Sequence, residues 1–582
     1  MISVDLPVME IAGAVNEALA VSPRLVVTAP PGAGKSTVLP LTILYGSHPD
    51  SLPGAETPLF APDKSIFTVQ GANTPLFAPD TKILVLEPRR IAARQIAERM
   101  AALLGEPVGR TVGYRIRFES RVSAQTRIEV LTEGILTRML VDDPGLEGVG
   151  VVIFDEFHER SLQSDVALAL TREAQSLLRP DLRILLMSAT IDAAALCREL
   201  DAPLLESAGR MFPVEIRHTP EEATVENVAE RVAHWVRVAL RDHDGDILAF
   251  LPGEADIRRC AEKLTGGGQS GEIPGPAGKD SAAVYPLYGM LSQAEQRAAI
   301  APSPAGRRKV VLATPIAETS LTIEGVRVVV DGGFCRKLVF DPQNALSRLE
   351  TVRISRDMAD QRSGRAGRVA SGICYRLWSP ATEARMAPTR TPEILEADLA
   401  GTVLDAAAWG ESRIERLAWL TPPPPAHTAQ ARRLLELLCA VDSEGRITPH
   451  GSRLATLPCH PRIAQMLLQA RTPEEQALAA DIAALLEERD PLAAQARDAA
   501  LTTRLDTLRG AGRSGRWSRI AQIAGQYRLL ASKSDAVRIS AGFSGREAEK
   551  QAAVKRKILS KNMINQEFLI YRKIILILNG QI

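Results

Sequence analysis

An apolar run that ends in a glycine-rich loop constrains this chain more than any other feature. Leu25-Val-Val-Thr-Ala29 leads directly into Pro30-Pro-Gly-Ala-Gly-Lys-Ser-Thr37. A buried strand, a turn carrying two glycines and a helix that opens at a lysine make a phosphate cradle. Glycines let successive backbone N–H groups converge on phosphate oxygens at a helix N-terminus. The expected binding residues are therefore Gly32, Ala33, Gly34, Lys35, Ser36 and Thr37. Lys35 reaches the β and γ phosphates, and the Ser36 hydroxyl ligates magnesium. The first position of the pattern is Ala29 where glycine is usual. A glycine-rich turn with no ligand is the bland alternative, and the strand placed just before it argues against that.

Four more motifs follow in order: Asp155-Glu-Phe-His158, Ser188-Ala-Thr190, Ala313-Thr-Pro-Ile-Ala-Glu-Thr319 and Gln361-Arg-Ser-Gly-Arg-Ala-Gly-Arg368. Asp155 and Glu156 end the apolar run Val151-Val-Ile-Phe154. Two adjacent carboxylates at a strand terminus are costly without a cation or a task. Asp155 suits magnesium, held through water, and Glu156 suits the general base that activates an attacking water. An acidic turn is the rival reading, which the upstream loop weakens. Arg362, Arg365 and Arg368 recur every third residue, which puts them on one helical face beside Gln361. Guanidinium groups stabilise the charge that develops in phosphoryl transfer. A basic face toward solvent or RNA is the alternative, against which Gly364 and Gly367 speak.

A chain of 582 residues exceeds one core, so three or more domains are expected. Apolar runs at 25–29, 83–86, 151–154 and 184–187 form one series, and runs at 247–250, 310–312 and 328–330 form a second. Strands apolar on both faces suit parallel sheets covered by helices. The fold class is therefore α/β, with two tandem α/β domains at 1–205 and 206–380. Beyond residue 380 the text turns Leu/Ala/Arg-rich and helical. The net charge of +1 predicts no nucleic-acid partner by itself, so any basic surface is local. The cysteines at 197, 260, 335, 374, 439 and 459 are far apart and read as thiols of a reducing cytosol. No secretory signal is apparent, and Phe568–Leu578 is too short and too charged to span a bilayer. A cytoplasmic protein with no membrane association is expected.

Two segments break this plan. Thr-Pro-Leu-Phe-Ala-Pro-Asp occurs at 57–63 and again at 74–80, inside an insertion at 46–81. Two copies are too few for a solenoid, and a duplicated surface loop away from the phosphate site is expected. From Lys550 to Lys573 there are seven basic residues and one acid. A basic nucleic-acid-binding tail is one reading. A change of reading frame or of gene origin near 540 is the preferred one, since apolar usage shifts toward Ile as well.

Taken together these motifs resemble the DEAH/RHA branch of superfamily 2 ATP-dependent helicases, and within it the bacterial HrpB-type members. The likeness runs from about residue 5 to 530, the insertion apart. It includes Glu87-Pro-Arg-Arg90, Thr132-Glu-Gly134, Phe250-Leu-Pro-Gly253 and Pro286-Leu-Tyr-Gly289. The second motif reads Asp-Glu-Phe-His where relatives carry Ala, a substitution that leaves the chemistry in place. The resemblance implies two RecA-like domains that bind ATP and Mg2+ in their cleft and carry a single-stranded or structured RNA across their top, DNA not being excluded. It implies a catalytic set of Lys35, Asp155, Glu156, His158, Gln361, Arg365 and Arg368, with Ser36 and Asp155 on the metal. Arg89, Arg90, Thr132 and Thr314 would touch the strand's phosphates and sugars, contacts that give affinity without reading sequence. Ser188 and Thr190 would couple hydrolysis to strand movement, with His158 as relay. Gly333–Ser355 alternates around Asp341-Pro-Gln-Asn344 and predicts a long hairpin. It is similar to the hairpin with which relatives hold or part strands. Residues 381–450 look like a winged-helix domain, 451–535 like a helical ratchet domain, and 536–582 match nothing in the family. Ile300 stands near where relatives stack an aromatic on adenine, so a base-tolerant nucleotide site is expected. HrpB-type proteins continue beyond the ratchet, so the chain resembles a C-terminally truncated member. A catalytically impaired paralogue that only binds nucleic acid or nucleotide is the alternative to an active helicase.

Overall fold

The computed structural model describes residues 6–30, 32–45, 80–189, 193–209, 212–266, 271–273, 281–303, 307–318, 323–488, 490, 492, 500–510 and 516–540. The first copy of the repeat, the second copy up to residue 79, and the tail beyond 540 lie outside them. The described chain packs as two units. One comprises Met1–Phe340, Ser347–Ala397 and Leu417–Pro424, and the other Asp341–Leu346, Asp398–Arg416 and Pro425–Ile582.

The first unit holds two domains of alternating strands and helices. Domain 1 runs α1 (Met9–Val21), β1 (Arg24–Thr28), α2 (Lys35–Tyr45), β2 (Lys82–Leu86), α3 (Arg90–Leu103), β3 (Val112–Ile116), β4 (Glu119–Arg121), β5 (Ile128–Leu131) and α4 (Glu133–Asp142). It continues through β6 (Val149–Phe154), α5 (Leu162–Leu177), β7 (Arg183–Ser188), α6 (Ala193–Leu200) and β8 (Leu204–Glu206). Its sheet has the order β4-β3-β5-β2-β6-β7-β1-β8. All neighbours are parallel except β3 and β4. Every residue of β6 is buried, as expected of a strand covered by helices on both faces. The core joins β1, β2 and β6 to α2 and α3 through Val27, Val85, Ile153, Leu41, Ile96 and Met100.

Domain 2 runs β9 (Val214–His218), α7 (Val228–Asp242), β10 (Asp246–Phe250), α8 (Glu254–Thr265), β11 (Gly271–Ile273), β12 (Ala282–Leu287), α9 (Gln293–Ile300), β13 (Arg308–Ala313) and β14 (Val326–Asp331). Then come β15 (Phe334–Asp341), β16 (Leu346–Arg353), α10 (Arg356–Gly364), β17 (Gly372–Arg376) and α11 (Pro380–Arg385). Its sheet order is β11-β12-β13-β10-β14-β17-β9, and β15 with β16 forms a separate two-stranded sheet. That pair is the hairpin the alternating pattern predicts. Gly333 starts it at φ +78, where an added Cβ would lie 2.8 Å from the Trp378 ring, so only glycine fits.

The second unit is helical: α12 (Ala400–Trp409), α13 (Pro425–Leu437), α14 (Pro449–Ala455), α15 (Pro461–Gln469), α16 (Pro473–Glu487), α17 (Leu501–Gly510) and α18 (Arg516–Ser540). A bridge between Val441 and Ile447 is its β element among the described residues. Thr472 and Glu475 close α16 with a reciprocal capping box. His460 caps α15 and places its other ring nitrogen 3.1 Å from Asp398. No helix among the described residues is long and apolar enough to cross a membrane.

Candidate active site

Register assembles the site. Thr28 pairs with Ser188, while Phe154 pairs with Leu186 on one side and Leu86 on the other. Strands β2 and β6 therefore end level, β7 and β1 end level two residues further on, and the residues just beyond them, Glu87, Asp155, Ala189 and Ala29, line the carboxyl edge. That edge is where ligands bind in open α/β sheets. The backbone of the loop after β1 reverses through Gly32 at φ +88 and Gly34 at φ +93. Beside Gly32 an added Cβ would meet nothing within 4 Å, so the cradle stays open on that side. Ala33 is buried, and Ser36 and Thr37 follow Lys35 in the first turn of α2.

Lys35 is only 3% exposed, and its Nζ has no hydrogen-bond partner. It lies 3.7 Å from Glu156 Oε1. Asp155 Oδ1 accepts from the Glu156 N–H at 2.8 Å, while Asp155 Oδ2 is buried without a partner. Burial, then the neighbouring Glu156, pushes the Asp155 carboxyl up to about 7, against the pull of Lys35 and the Ser36 hydroxyl. Glu87 is buried as well and is raised well above its ordinary value by burial, Asp155 and Glu156. One lysine thus faces several crowded carboxyls. An orphaned ammonium beside an orphaned carboxylate oxygen fits a magnesium-bound phosphate chain, which supplies an anion to one and a cation to the other. Among the described residues no group of three or more His, Cys, Asp or Glu is placed to hold a metal. Magnesium needs no such cage when phosphates complete its shell.

Glu156 sits in the left-handed region at φ 50, a conformation that costs a non-glycine residue and recurs at functional sites. The turn aims its carboxylate back at Lys35. His158 Nδ1 accepts from the Ala189 N–H at 3.3 Å, and its Nε2 is 3.3 Å from Glu156 Oε2. Burial, then Lys35, holds the imidazole well below its usual pKa. The ring is therefore neutral, and because Nδ1 accepts, the proton sits on Nε2, facing Glu156. Ser188 is fully buried, and its carbonyl accepts from the Ala29 N–H at 3.2 Å. Thr190 lies outside the described residues.

Domain 2 contributes the opposite wall. Arg365 Nε donates to the Glu318 carbonyl at 3.2 Å. Burial, followed by Arg368, depresses Arg365 well below its usual value, and Glu156 opposes that shift. Arg368 is depressed to about 10 by burial, again with Glu156 opposing. A guanidinium does not shed its proton under ordinary conditions. Two buried guanidiniums close to Glu156 concentrate positive charge on this wall, where an anion would be favoured. Gln361 is buried and accepts from Arg390 Nη2 at 3.2 Å.

The expectation of three guanidiniums on one face is corrected at Arg362. Helix α10 ends at Gly364, and Arg365–Gly367 continue as a tighter 3-10 turn. Arg362 points into the core of domain 2, fully buried, with Nη1 on Asp331 Oδ1 at 2.8 Å and its guanidinium 4.8 Å from the Phe250 ring centre. Gly367 serves packing: an added Cβ would lie 2.4 Å from the Phe212 carbonyl.

The residues expected along a nucleic-acid strand all follow carboxyl ends of strands. Arg89 and Arg90 come after β2, Thr132 after β5 and Thr314 after β13. Arg90 is exposed, and Thr132 and Thr314 are half-buried. Arg89 is already committed: it donates to the carbonyls of Pro315 at 3.1 Å and Ile316 at 2.8 Å, and pairs with Glu159 at 3.0 Å. It joins domain 1 to domain 2 next to Thr314. Sequence reasoning gave no role to Glu87, Glu318 or Arg390. Glu87 and Glu318 sat inside motifs already noticed. Arg390 carried no signal, being one arginine among threonines and prolines.

The comparisons agree with this geometry. The DEAD/DEAH box helicase family matches residues 12–197, and the helicase conserved C-terminal domain matches 230–370. The chain is 45% identical over 485 residues to the ATP-dependent RNA helicase HrpB of Escherichia coli, covering 83% of this chain and 55% of that protein. It is 36% identical over 384 residues to the pre-mRNA-splicing factor ATP-dependent RNA helicase prp22 of Schizosaccharomyces pombe, covering 66% of this chain and 32% of that one. The crystal structure of the Escherichia coli DEAH/RHA helicase HrpB superposes with a TM-score of 0.75 at 41% identity, over 90% of this chain and 60% of that chain. The chain thus spans little more than half the length of the HrpB proteins it matches. With both domain families in order and this degree of likeness, the chain belongs to the DEAD/DEAH box helicases, in their DEAH/RHA branch.

Proposed function

We propose that this chain hydrolyses ATP between its two RecA-like domains and uses the cycle to move along, or unwind, RNA. The observation that carries the reading is Glu156, which lies 3.7 Å from Lys35 and is the carboxylate that opposes the shifts of both Arg365 and Arg368. In this reading Lys35 and the amides around Gly32 and Gly34 hold the terminal phosphates. Ser36 and Asp155 would hold magnesium, which would neutralise phosphate charge. Glu156 takes the proton of the attacking water, and His158, neutral with its proton on Nε2, steadies that carboxylate. Arg365 and Arg368 stabilise charge on the γ-phosphoryl oxygens, with Gln361 beside them. The relatives that support RNA as the strand are described as RNA helicases. Arg90, Thr132 and Thr314, at the carboxyl edges of both sheets, are the residues proposed to touch it.

The test is ATP hydrolysis by the purified chain with and without single-stranded RNA, alongside displacement of a labelled strand from a duplex. Hydrolysis that RNA stimulates, and that Glu156→Gln lowers by about 10²–10⁴-fold while nucleotide still binds, is the expected result. Turnover unchanged in the Glu156→Gln variant would remove Glu156 from the role of base.

A further inference from the structure

Residues 387–396 form a strap that leaves domain 2 and grips domain 1. At its start, the Ala387 and Pro388 carbonyls accept from the Arg356 and Asp357 N–H groups at 2.9 and 3.2 Å, at the N-terminus of α10. Next, Arg390 forks among three acceptors: Glu318 Oε1 and Gln361 Oε1, each 3.2 Å from Nη2, and Asp357 Oδ2, 3.4 Å from Nε. Its side chain is 16% exposed and Glu318 is 1% exposed, so these bonds sit largely out of water.

Three residues on, the strap reaches the other domain. The Glu393 N–H donates to the Arg160 carbonyl at 3.0 Å, and Glu393 Oε2 accepts from the Leu162 N–H at 2.8 Å. Arg160 ends the turn that begins at Asp155 and is itself left-handed at φ 47. Leu162 opens α5, whose first N–H groups have no partners within the helix. Ser161 satisfies the Ser164 N–H, and the Glu393 carboxylate satisfies Leu162 from outside the domain. A carboxylate is favoured at that end of a helix by the helix dipole. At the far end of the strap, Lys337 at the base of the hairpin pairs with Glu396, and the Glu396 carbonyl accepts from the Phe340 N–H at 2.8 Å.

One ten-residue segment therefore holds the helix that leads to Arg365 and Arg368, and also the turn that carries Asp155, Glu156 and His158. We propose that Arg390 and Glu393 are positioning residues. Arg390 orients Gln361 and Glu318, Glu393 caps α5 across the domain boundary, and together they set the distance between the arginines of domain 2 and the carboxylates of domain 1. The consequence for turnover rests on the ATPase reading, whereas the consequence for domain spacing does not.

The experiment uses the full chain with Arg390→Ala, Arg390→Lys, Glu393→Ala and Glu393→Gln. It reads kcat and KM for ATP, and the energy transfer between dyes on unnatural amino acids at Val21 in domain 1 and Val225 in domain 2, which are 86% and 41% exposed. Arg390→Ala and Glu393→Ala are expected to lower kcat about tenfold or more with KM within about threefold, and to lengthen the dye distance. Glu393→Gln keeps an oxygen for the Leu162 N–H and is expected to stay close to the parent. Arg390→Lys has one nitrogen where Arg390 uses both Nε and Nη2, and is expected to resemble Arg390→Ala. Parent-like kcat and dye distance in both alanine variants would overturn the proposal, as would lost turnover at an unchanged distance. If Arg390→Ala fails to fold, the contrast between Glu393→Ala and Glu393→Gln decides. If the parent chain does not hydrolyse ATP, the ATPase reading fails and the dye distance alone tests the strap.

Discussion

Replacing Arg362 by methionine separates two roles for the arginine-rich motif. Motif spacing makes Arg362 one of three guanidiniums serving phosphate; its surroundings make it a core residue. Arg362 and Asp331 are both 0% exposed and 2.8 Å apart, and Glu318 stands 3.8 Å away on the other side. Asp331 spends the same Oδ1 on the Gly333 N–H at 2.9 Å, so its charge is shared but not neutralised by the backbone. Methionine fills much of the volume and leaves a carboxylate buried without its cation. Breaking a buried pair from one side costs about 3–5 kcal/mol. Loss of the contact with Phe250 lies within that range, not on top of it. For a domain of this size the cost corresponds to roughly 6–20 °C in the transition that melts domain 2. A double variant, Arg362→Met with Asp331→Asn, removes the stranded charge and recovers part of the loss. Calorimetry of the full chain, with hydrogen exchange of peptides from β10 and β14 to assign the transition, measures both. A variant that melts within about 1 kcal/mol of the parent but loses turnover would refute the argument and return Arg362 to the phosphate.

Two further outcomes follow from particular atoms. In Gly34→Ala the new Cβ lies 2.7 Å from Leu6 Cδ1 on a backbone at φ +93, with strain of about 1–3 kcal/mol, so nucleotide affinity falls sharply. Gly32→Ala meets open space and is milder; equal nucleotide titrations for the two variants would sink the steric argument. Glu133 accepts from Ser161 Oγ at 2.7 Å, and its carboxyl is pushed up to about 8, first by burial and, against that hydrogen bond, by Glu159, Glu393 and Asp165. The unfolded chain ionises this group near 4.5 and the folded chain only near 8, so stability falls as pH rises between those values and falls no further above them. The loss is on the order of 2 kcal/mol once partial exposure is allowed for. Glu133→Gln removes that slope, and unfolding midpoints at pH 5 and pH 9 that shift equally in parent and variant would contradict it.

What the sequence made legible was local. The strand before Lys35, the run Val151–Phe154 before Asp155 and the alternation around Asp341–Asn344 are contiguous, and each became the element its pattern implies. Candidate site residues carried by such runs could be placed because a strand's end fixes where the next side chain begins. Arg362 was misread because a spacing of three says nothing about where a helix stops. Nor does it say what that face packs against: Arg362 is taken up by buried Asp331, whereas Arg365 donates to the Glu318 carbonyl. Arg390 and Glu393 were silent for another reason. Their partners Glu318, Gln361 and Leu162 lie 29 to 231 residues away, and no periodicity links such positions. Glu318 was visible as a motif letter, but its burial between Arg362 and Arg390 is a property of the folded domain alone.

The hydrogen bond from Ala29 to the Ser188 carbonyl joins the phosphate loop to the segment beyond β7 as adjacent rungs of one ladder. Strands so joined move as a plate, with stiffness set by the sheet rather than by either loop. A displacement of the phosphate loop is therefore passed toward residue 189 through a backbone hydrogen bond. It also arrives at His158, whose ring is hung on the Ala189 amide. The phosphate loop, residue 189 and the His158 ring are thus tied by two backbone N–H donors rather than by a chain of side chains. Both bonds are donated by main-chain N–H groups, so side-chain substitutions at residues 29 and 189, proline apart, leave the tie in place.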